Sequence, residues 1–145
     1  MALTDVLTGL ASIDVIVDSV TIPVQNADTR PMMRVRSSSF RYLLPLSTAR
    51  SASTKRTLGG GVMRVHRVED MYIYRNVKDG TGLEGALPAL LAYMDIYDDA
   101  MVGTKPTTNS NVIEVEMLPA VITYPTGSST DYFGVRCQLT IEEYA

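Results

Sequence analysis

The sequence is short of the residues on which metal centres and covalent cross-links usually depend. It has one cysteine, Cys137, and one histidine, His66, in 145 residues. A single cysteine excludes a disulfide within the chain and any site built from several cysteine ligands. No apolar run approaches the roughly 20 residues of a membrane-spanning helix, and the first residues lack the basic group of a secretory signal. We therefore expect a protein that is made and kept in a cytoplasm.

Acidic residues are missing from a long internal stretch, residues 29–68, which contains nine arginines and lysines. The chain after residue 68 has twelve acids and four bases, and the first 28 residues have four acids and no base. The net charge of −3 does not suit a nucleic-acid binder, which is usually basic. The uneven distribution favours subunits that meet through a basic and an acidic surface, unless folding mixes these charges in space.

The clearest periodicity lies in residues 83–102, where apolar residues recur every three or four positions and so line one side of an α-helix. The predicted stripe consists of Leu83, Leu87, Leu90, Leu91, Met94, Tyr97 and Met101. Gly103 and Pro106 are typical of the end of such a helix. Residues 3–13 predict a shorter amphipathic helix, which Gly9 weakens and which needs docking for its stability.

Strand patterns surround the long helix. Residues 14–24 and 32–46 predict extended segments, and residues 113–141 predict an antiparallel hairpin. Residues 62–75 predict a central strand with both faces partly covered, by a helix on one side and a neighbouring subunit on the other. Residues 47–61, STARSASTKRTLGGG, have almost no core-forming side chain, so they predict a flexible basic loop that is either ordered by a partner or simply mobile. We expect residues 1–145 to form one α+β domain with a mainly antiparallel sheet and the long helix packed on it.

The residues that could carry chemistry form no recognised motif. We expect His66 to be a surface or partner-contact residue, because no Cys, Asp or Glu stands at ligand spacing from it. Cys137 falls on the inward parity of its strand, so we expect an inert buried thiol. Acids that could together hold a divalent cation are Asp95, Asp98, Asp99, Glu114 and Glu116. Such spacing is common in acidic helices, and we expect an interface or solvated face there instead. We predict no catalytic residue, cofactor or metal.

The order of elements resembles that of the tail terminator (tail completion) proteins of long-tailed bacteriophages. It has a short leading helix, strands joined by a long basic loop, one long helix and a closing hairpin. The step from Leu58-Gly-Gly60 into a strand adds to this likeness, as does the strand that starts at Tyr132-Phe-Gly134 and ends in Glu142-Glu143. The resemblance implies a structural virion protein without catalysis, assembled in the host cytoplasm.

The resemblance also implies partners. It predicts a ring of six copies that caps the tail tube protein, joins the head–tail connector protein and touches DNA only passively in its lumen. The partner-binding residues that we predict are Arg50, Lys55 and Arg56 in the basic loop and Asp95, Asp98 and Asp99 on the acidic helix face. One alternative is another phage neck or tail tube protein. A second, from a different class, is a small cup-shaped ligand-binding or enzymatic α+β domain.

Overall fold

The computed structural model describes residues 3–26, 40–45, 52–56, 62–77, 82–126 and 128–144. The helices and strands in these residues are α1 (Leu3–Ala11), β1 (Ile16–Val17), β2 (Val20–Thr21), β3 (Val24–Asn26), β4 (Phe40–Pro45), β5 (Ala52–Arg56), β6 (Val62–Asn76), α2 (Leu83–Met101), β7 (Ser110–Thr126) and β8 (Ser128–Tyr144). The predicted α+β class is confirmed, and α2 begins and ends within one residue of the predicted bounds.

The sheet has the strand order β3-β4-β6-β8-β7, and β5 pairs with β6 off this path. All its neighbours are antiparallel except β3 and β4, which are parallel. β8 runs along one side of β6, while β4 and β5 follow one another along the other side. The predicted central strand at residues 62–75 is therefore confirmed, and β7 lies at an edge of the sheet.

Both helices pack on one face of this sheet and bury the main core against it. The buried residues of α2 are Ala86, Leu90, Tyr93, Tyr97 and Met101. The predicted stripe was wrong in two places, because Leu91 is 47% exposed and Tyr93 is buried. Successive helix residues are turned by about 100°, so the stripe that continues from Leu90 passes through Tyr93 and leaves Leu91 at its margin.

The opposite face of the sheet carries a second, smaller apolar cluster near β4. It consists of Phe40, Tyr42, Met71, Ile73 and Ile122. Because side chains alternate between the two faces of a strand, β4 and β6 contribute to both clusters. Both faces of this part of β6 are thus buried within one copy, and cover by a neighbouring subunit stays a prediction.

The segment predicted as one strand over residues 14–24 is wrong in detail. It forms a two-residue hairpin, β1 to β2, followed by the separate strand β3. The hairpin turns at Asp18 and Ser19, whose φ angles are 50° and 64°. Left-handed backbone at both central residues is what a two-residue hairpin turn requires, and Asp tolerates it better than most residues.

The predicted flexible loop at residues 47–61 contains a strand. Ala52–Arg56 pairs with β6 in antiparallel register, from Ala52 opposite His66 to Arg56 opposite Val62. Composition alone pointed to a linker, but an adjacent strand with unused backbone groups overrides such local preference. Residues 47–51 and 57–61 lie outside the described part of the chain.

Gly9 explains how the weak helix α1 is held. A Cβ at this position would lie 1.9 Å from the carbonyl oxygen of Pro106, so only glycine allows the two backbones this close. The helix-weakening glycine is therefore the contact point with residues that follow α2. Gly103, with φ of 73°, ends α2 as predicted.

Candidate assembly surface

A buried ion pair ties both helices to the sheet. The Arg41 guanidinium on β4 donates from Nε and Nη2 to the Asp70 carboxylate on β6, and the Nη2 to Oδ2 distance is 2.6 Å. The Tyr97 hydroxyl on α2 donates to the same Oδ2 at 2.7 Å, and Arg41 Nη1 donates to the carbonyl of Ile13 after α1. Arg41, Asp70 and Tyr97 are all fully buried. The cluster therefore joins β4, β6, α2 and the segment that follows α1 at one point.

The electrostatics of this cluster follow from its burial. Burial by itself lowers the pKa of Arg41, but the adjacent Asp70 carboxylate outweighs it and raises that pKa above its ordinary value. Burial, and then the Asp70 charge, raise the pKa of Tyr97 and Tyr93 well above 10. Tyr93 also stacks on Tyr72 with ring centroids 3.7 Å apart. Since every member is closed off from solvent, these charges organise the core and do not face a substrate.

A second polar cluster fastens the end of the sheet. His66 Nε2 lies 3.1 Å from Glu143 Oε1, and Thr107 Oγ1 donates to the other carboxylate oxygen at 3.3 Å. Thr107 is also bonded to Ser110 Oγ through its backbone amide. His66 is fully buried, so the prediction of a surface or partner-contact histidine is wrong. The burial of His66 could not be predicted from local sequence, because its partner Glu143 is 77 residues away.

Cys137 is buried on the helix face of β8, as predicted. Burial raises the pKa of its thiol well above 9, with a further contribution from the Asp70 charge. A protonated, enclosed thiol is a poor nucleophile. Cys137 therefore packs in the core as a small apolar side chain.

The exposed features concentrate on β7. Among the described strands it pairs with β8 only, over register positions from Ser110 to Thr126. Large apolar side chains on it stand in solvent, with Ile113 50%, Leu118 63% and Val121 53% exposed. A long edge strand with exposed apolar side chains is a template for pairing with another chain. β7 is therefore the candidate assembly surface.

The start of this edge is already occupied. The amide of Val112 donates to the carbonyl of Thr104 at 3.0 Å, and the amide of Ser110 donates to Thr107. Residues 104–109 thus lie along the first residues of β7, as far as Val112, and a β-bulge follows between Val112 and Glu114. From residue 113 onward, no described residue other than those of β8 pairs with the β7 backbone.

The face of β7 that points away from the helices is acidic. Glu114 and Glu116 are exposed, and a hydrogen bond to Glu114, followed by its charge, raises the pKa of Glu116. Beside them, a groove of about 260 Å³ is lined by Glu116, Met117, Leu118, Arg136 and Gln138. Arg136 is held there by Glu69 at 2.7 Å. The groove opens next to the free edge and can accept side chains of an added strand.

The predicted basic contact residues are only partly described. Arg50 lies outside the described residues. Lys55 and Arg56 belong to β5, where they are paired in register with Met63 and Val62. These two positions therefore lie on a strand that is separated from β7 by β6 and β8, and not in a free arm.

The predicted acidic contact residues lie on the outward side of α2. Asp95 and Asp99 are exposed and Asp98 is partly exposed. They occupy the last turns of the helix, where negative charge opposes the helix dipole. Within the described part of the chain, no three His, Cys, Asp or Glu side chains are placed to share a metal ion. Asp95, Asp98 and Asp99 therefore remain candidates for a protein contact.

Sequence reasoning identified Glu114 and Glu116 as acids on one strand face but missed that this strand is an edge. Pro119 was the available signal, because a residue without an amide hydrogen is tolerated in a sheet mainly on an edge strand.

No described helix is long and apolar enough to cross a membrane.

Comparison with known proteins gives no family for this chain. No protein-family model and no curated protein matches its sequence.

Proposed function

We propose that this chain is a structural virion protein, a tail terminator that closes into a ring on the tail tube of a long-tailed bacteriophage and joins it to the head connector. The observation that supports the proposal most is the open edge of β7, with its exposed Leu118 and its acidic Glu114 and Glu116. This is a surface for a protein partner. The described polar clusters at Arg41 and His66 are buried and already bonded internally.

A ring places particular demands on its subunit. Each copy must carry two different patches that fit one another, because a contact between identical patches stops at a dimer. The two sides of this sheet differ as a ring requires, since β7 bears acids on its open stretch and β5 bears Lys55 and Arg56. Closure of such a contact about an axis gives a ring, and six copies is the number that the resemblance implies.

The rigid attachment of α2 supports the same function. Arg41, Asp70 and Tyr97 lock this helix to the middle of the sheet. The acidic side of α2, with Asp95 and Asp99, is consequently held at a fixed position relative to both edges. A fixed surface suits a connector that must fit the tail tube below and the head connector above.

The test is the size and shape of the purified full-length protein. Light scattering behind size-exclusion chromatography, at low and high salt, gives the mass of the assembly, and electron microscopy gives its shape. We expect single rings that cap the ends of added tail tubes. Rings that stack into long tubes by themselves would indicate a tail tube protein instead. A monomer at high concentration in both salts, which also leaves tail tubes uncapped, would overturn the proposal.

A further inference from the structure

The stretch of β7 that follows its bulge has strictly alternating side chains. Residues 114–118 read Glu-Val-Glu-Met-Leu and end at Pro119, which has no amide hydrogen to donate. Among the described residues, only those of β8 pair with this stretch. Its two acids and Leu118 are exposed, whereas Val115 and Met117 are partly buried against the main core.

The register with β8 assigns these side chains to the two faces of the sheet. Met117 pairs with Cys137, which is buried in the core under the helices. Residues paired across neighbouring strands share a face, so Met117 and Val115 lie on the helix side, and the two acids and Leu118 lie on the other. A strand that continues the sheet past β7 should therefore carry a base opposite each acid and apolar residues at the remaining positions.

The chain itself contains a segment with this order. Residues 31–36 lie outside the described part of the chain, and they read Pro-Met-Met-Arg-Val-Arg. Arg34 and Arg36 are the only two of the thirteen arginines and lysines that stand two positions apart, as the two acids of β7 do. The segment contains no acid, so it has no charge that would repel this edge.

An antiparallel alignment matches the segment with β7 at every position. The opposing residues are Arg36 and Glu114, Val35 and Val115, Arg34 and Glu116, Met33 and Met117, Met32 and Leu118, and Pro31 and Pro119. Both charge pairs fall on the face away from the helices, and two apolar pairs extend the core on the helix side. The two prolines coincide, so both strands lose their amide where the new ladder ends. A parallel alignment of the same charges would instead place serines opposite Met117 and Leu118.

The segment cannot reach β7 of its own copy in this register. Phe40, the first residue of β4, is level with Ala120 of β7 across β6 and β8. The position opposite Glu114 is six residues further along β7, about 20 Å, and four strand spacings from β4, about 19 Å. Four residues separate Arg36 from Phe40, and they span at most about 14 Å. The strand must therefore come from a second copy.

We propose that residues 32–36 of one copy add to the edge of β7 of a second copy as an antiparallel strand, with Arg36 beside Glu114 and Arg34 beside Glu116. The inference rests on the proposed ring function, for which it names the contact between neighbours. The donated segment connects β3 to β4, which lie at the opposite end of the strand order from β7. The contact thus joins two different patches of the subunit, as a ring requires.

A disulfide across the proposed pairs tests the contact directly. The full-length double variants are Arg36→Cys with Glu114→Cys and Arg34→Cys with Glu116→Cys. Each protein is oxidised, its remaining thiols are alkylated, and the products are separated on a non-reducing denaturing gel. The distance given above excludes a disulfide between positions 36 and 114 of one copy. We expect a ladder of covalent oligomers that ends at the ring number.

The matched control is Arg36→Cys with Leu118→Cys. Leu118 is exposed on the same face of β7 as Glu114. It lies four residues further along the strand, about 14 Å, which no disulfide can span. We expect no ladder from this variant or from any single variant. A ladder of equal yield from the Leu118 control would overturn the proposal, because random collision would then explain the cross-links.

Exchange of the charges is a second test that does not depend on oxidation. Arg34→Glu with Arg36→Glu should weaken self-association roughly tenfold at low salt, because two attractive cross-strand pairs become repulsive. Glu114→Arg with Glu116→Arg should have the same effect, and the variant that combines all four changes should regain association. Circular dichroism establishes that each variant is folded. Equal weakening in the combined variant, with the fold intact, would refute the pairing.

The outcomes separate this contact from the ring function. Rings that cap tail tubes, without a ladder from either cysteine pair, would refute the contact and leave the proposed function standing. A specific ladder from a protein that leaves tail tubes uncapped would support the contact and refute the tail function. A protein that stays monomeric and leaves tail tubes uncapped would refute both.

Discussion

Removal of the Asp70 carboxylate should destabilise this protein more than any single surface change. Asp70→Ala leaves the Arg41 guanidinium fully buried, with the carbonyl of Ile13 as its one described hydrogen-bond partner and the Tyr97 ring 5.7 Å away. It also removes the acceptor of the Tyr97 hydroxyl. Breaking a buried pair in this way costs about 3–5 kcal/mol of unfolding free energy. For a domain of this size that corresponds to a fall in Tm of roughly 6–20 °C.

The assay is urea unfolding followed by circular dichroism, repeated at several protein concentrations because self-association adds to apparent stability. Asp95→Asn is the control, since it also neutralises an aspartate but on an exposed part of α2. It should change the unfolding free energy by less than about 0.5 kcal/mol. A loss below about 1 kcal/mol in Asp70→Ala would refute the assignment of Arg41 and Asp70 as a tightly coupled buried pair.

The double variant Arg41→Met with Asp70→Leu distinguishes lost attraction from stranded charge. When both charges are replaced by apolar side chains of similar size, neither desolvation penalty remains. We expect this variant to be more stable than Asp70→Ala alone, despite carrying two changes. If it is less stable, the network contributes through its hydrogen bonds to Tyr97 and Ile13 rather than through avoidance of an unpaired charge.

Three further predictions concern the same core. Tyr97→Phe should lower the free energy of unfolding by about 1.5–3 kcal/mol, because it removes a hydrogen bond to a charged acceptor. Tyr93→Phe should be neutral or stabilising, since the Tyr93 hydroxyl is buried without a partner among the described residues. Urea unfolding compares the two variants. Burial raises the pKa of both phenols in the folded state, so the unfolded chain loses these protons at a lower pH than the folded chain. Their contribution to stability should therefore be fully present below pH about 10 and fall as the pH rises further. Unfolding measured at stepped alkaline pH tests this. Gly9→Ala should destabilise the protein by about 1–3 kcal/mol through the clash with Pro106, although helix propensity alone predicts a gain in stability. The control is Gly85→Ala on the exposed side of α2, which should show that gain. Thermal unfolding measures both variants.

The patterns that sequence reasoning interpreted correctly are local ones. The ends of α2, the alternation in β8 and the two-faced pattern of β6 depend on spacing within one segment. The errors occur where a distant residue decides the outcome. His66 is buried because Glu143 reaches it from β8, and β5 exists because β6 offers it a ladder.

The same reasoning explains why the Arg41 cluster was not predicted. Arg41 stands between Phe40 and Tyr42 in an alternating segment, where it would ordinarily be assigned to the solvent face. The sheet here is covered on both faces, so the alternate position is also buried. Only the position of Asp70 on the next strand, opposite Leu43, makes an arginine acceptable there. That pairing is set by register, which the sequence does not reveal.

The acids of β7 should influence which other strand edge can pair with β7. A long edge strand with exposed Ile113 and Leu118 invites pairing with any other edge, including a second β7. We expect Glu114 and Glu116 to oppose that self-pairing, because two paired β7 edges would bring four carboxylates together. These two side chains should therefore disfavour a symmetric contact between two β7 edges.

Neutralisation of both acids should remove this selection without a change of shape. In Glu114→Gln with Glu116→Gln, two β7 edges no longer repel, so we expect symmetric dimers and larger irregular aggregates in place of a single closed species. The variant should also lose most of the salt dependence of assembly, because that dependence arises from exposed charges. Light scattering and electron microscopy at low and high salt measure both effects, with Asp95→Asn and Asp99→Asn as a control for loss of two exposed acids elsewhere. An unchanged assembly in the β7 variant, with unchanged salt dependence, would show that these carboxylates do not choose the partner and that the apolar groups of the edge suffice.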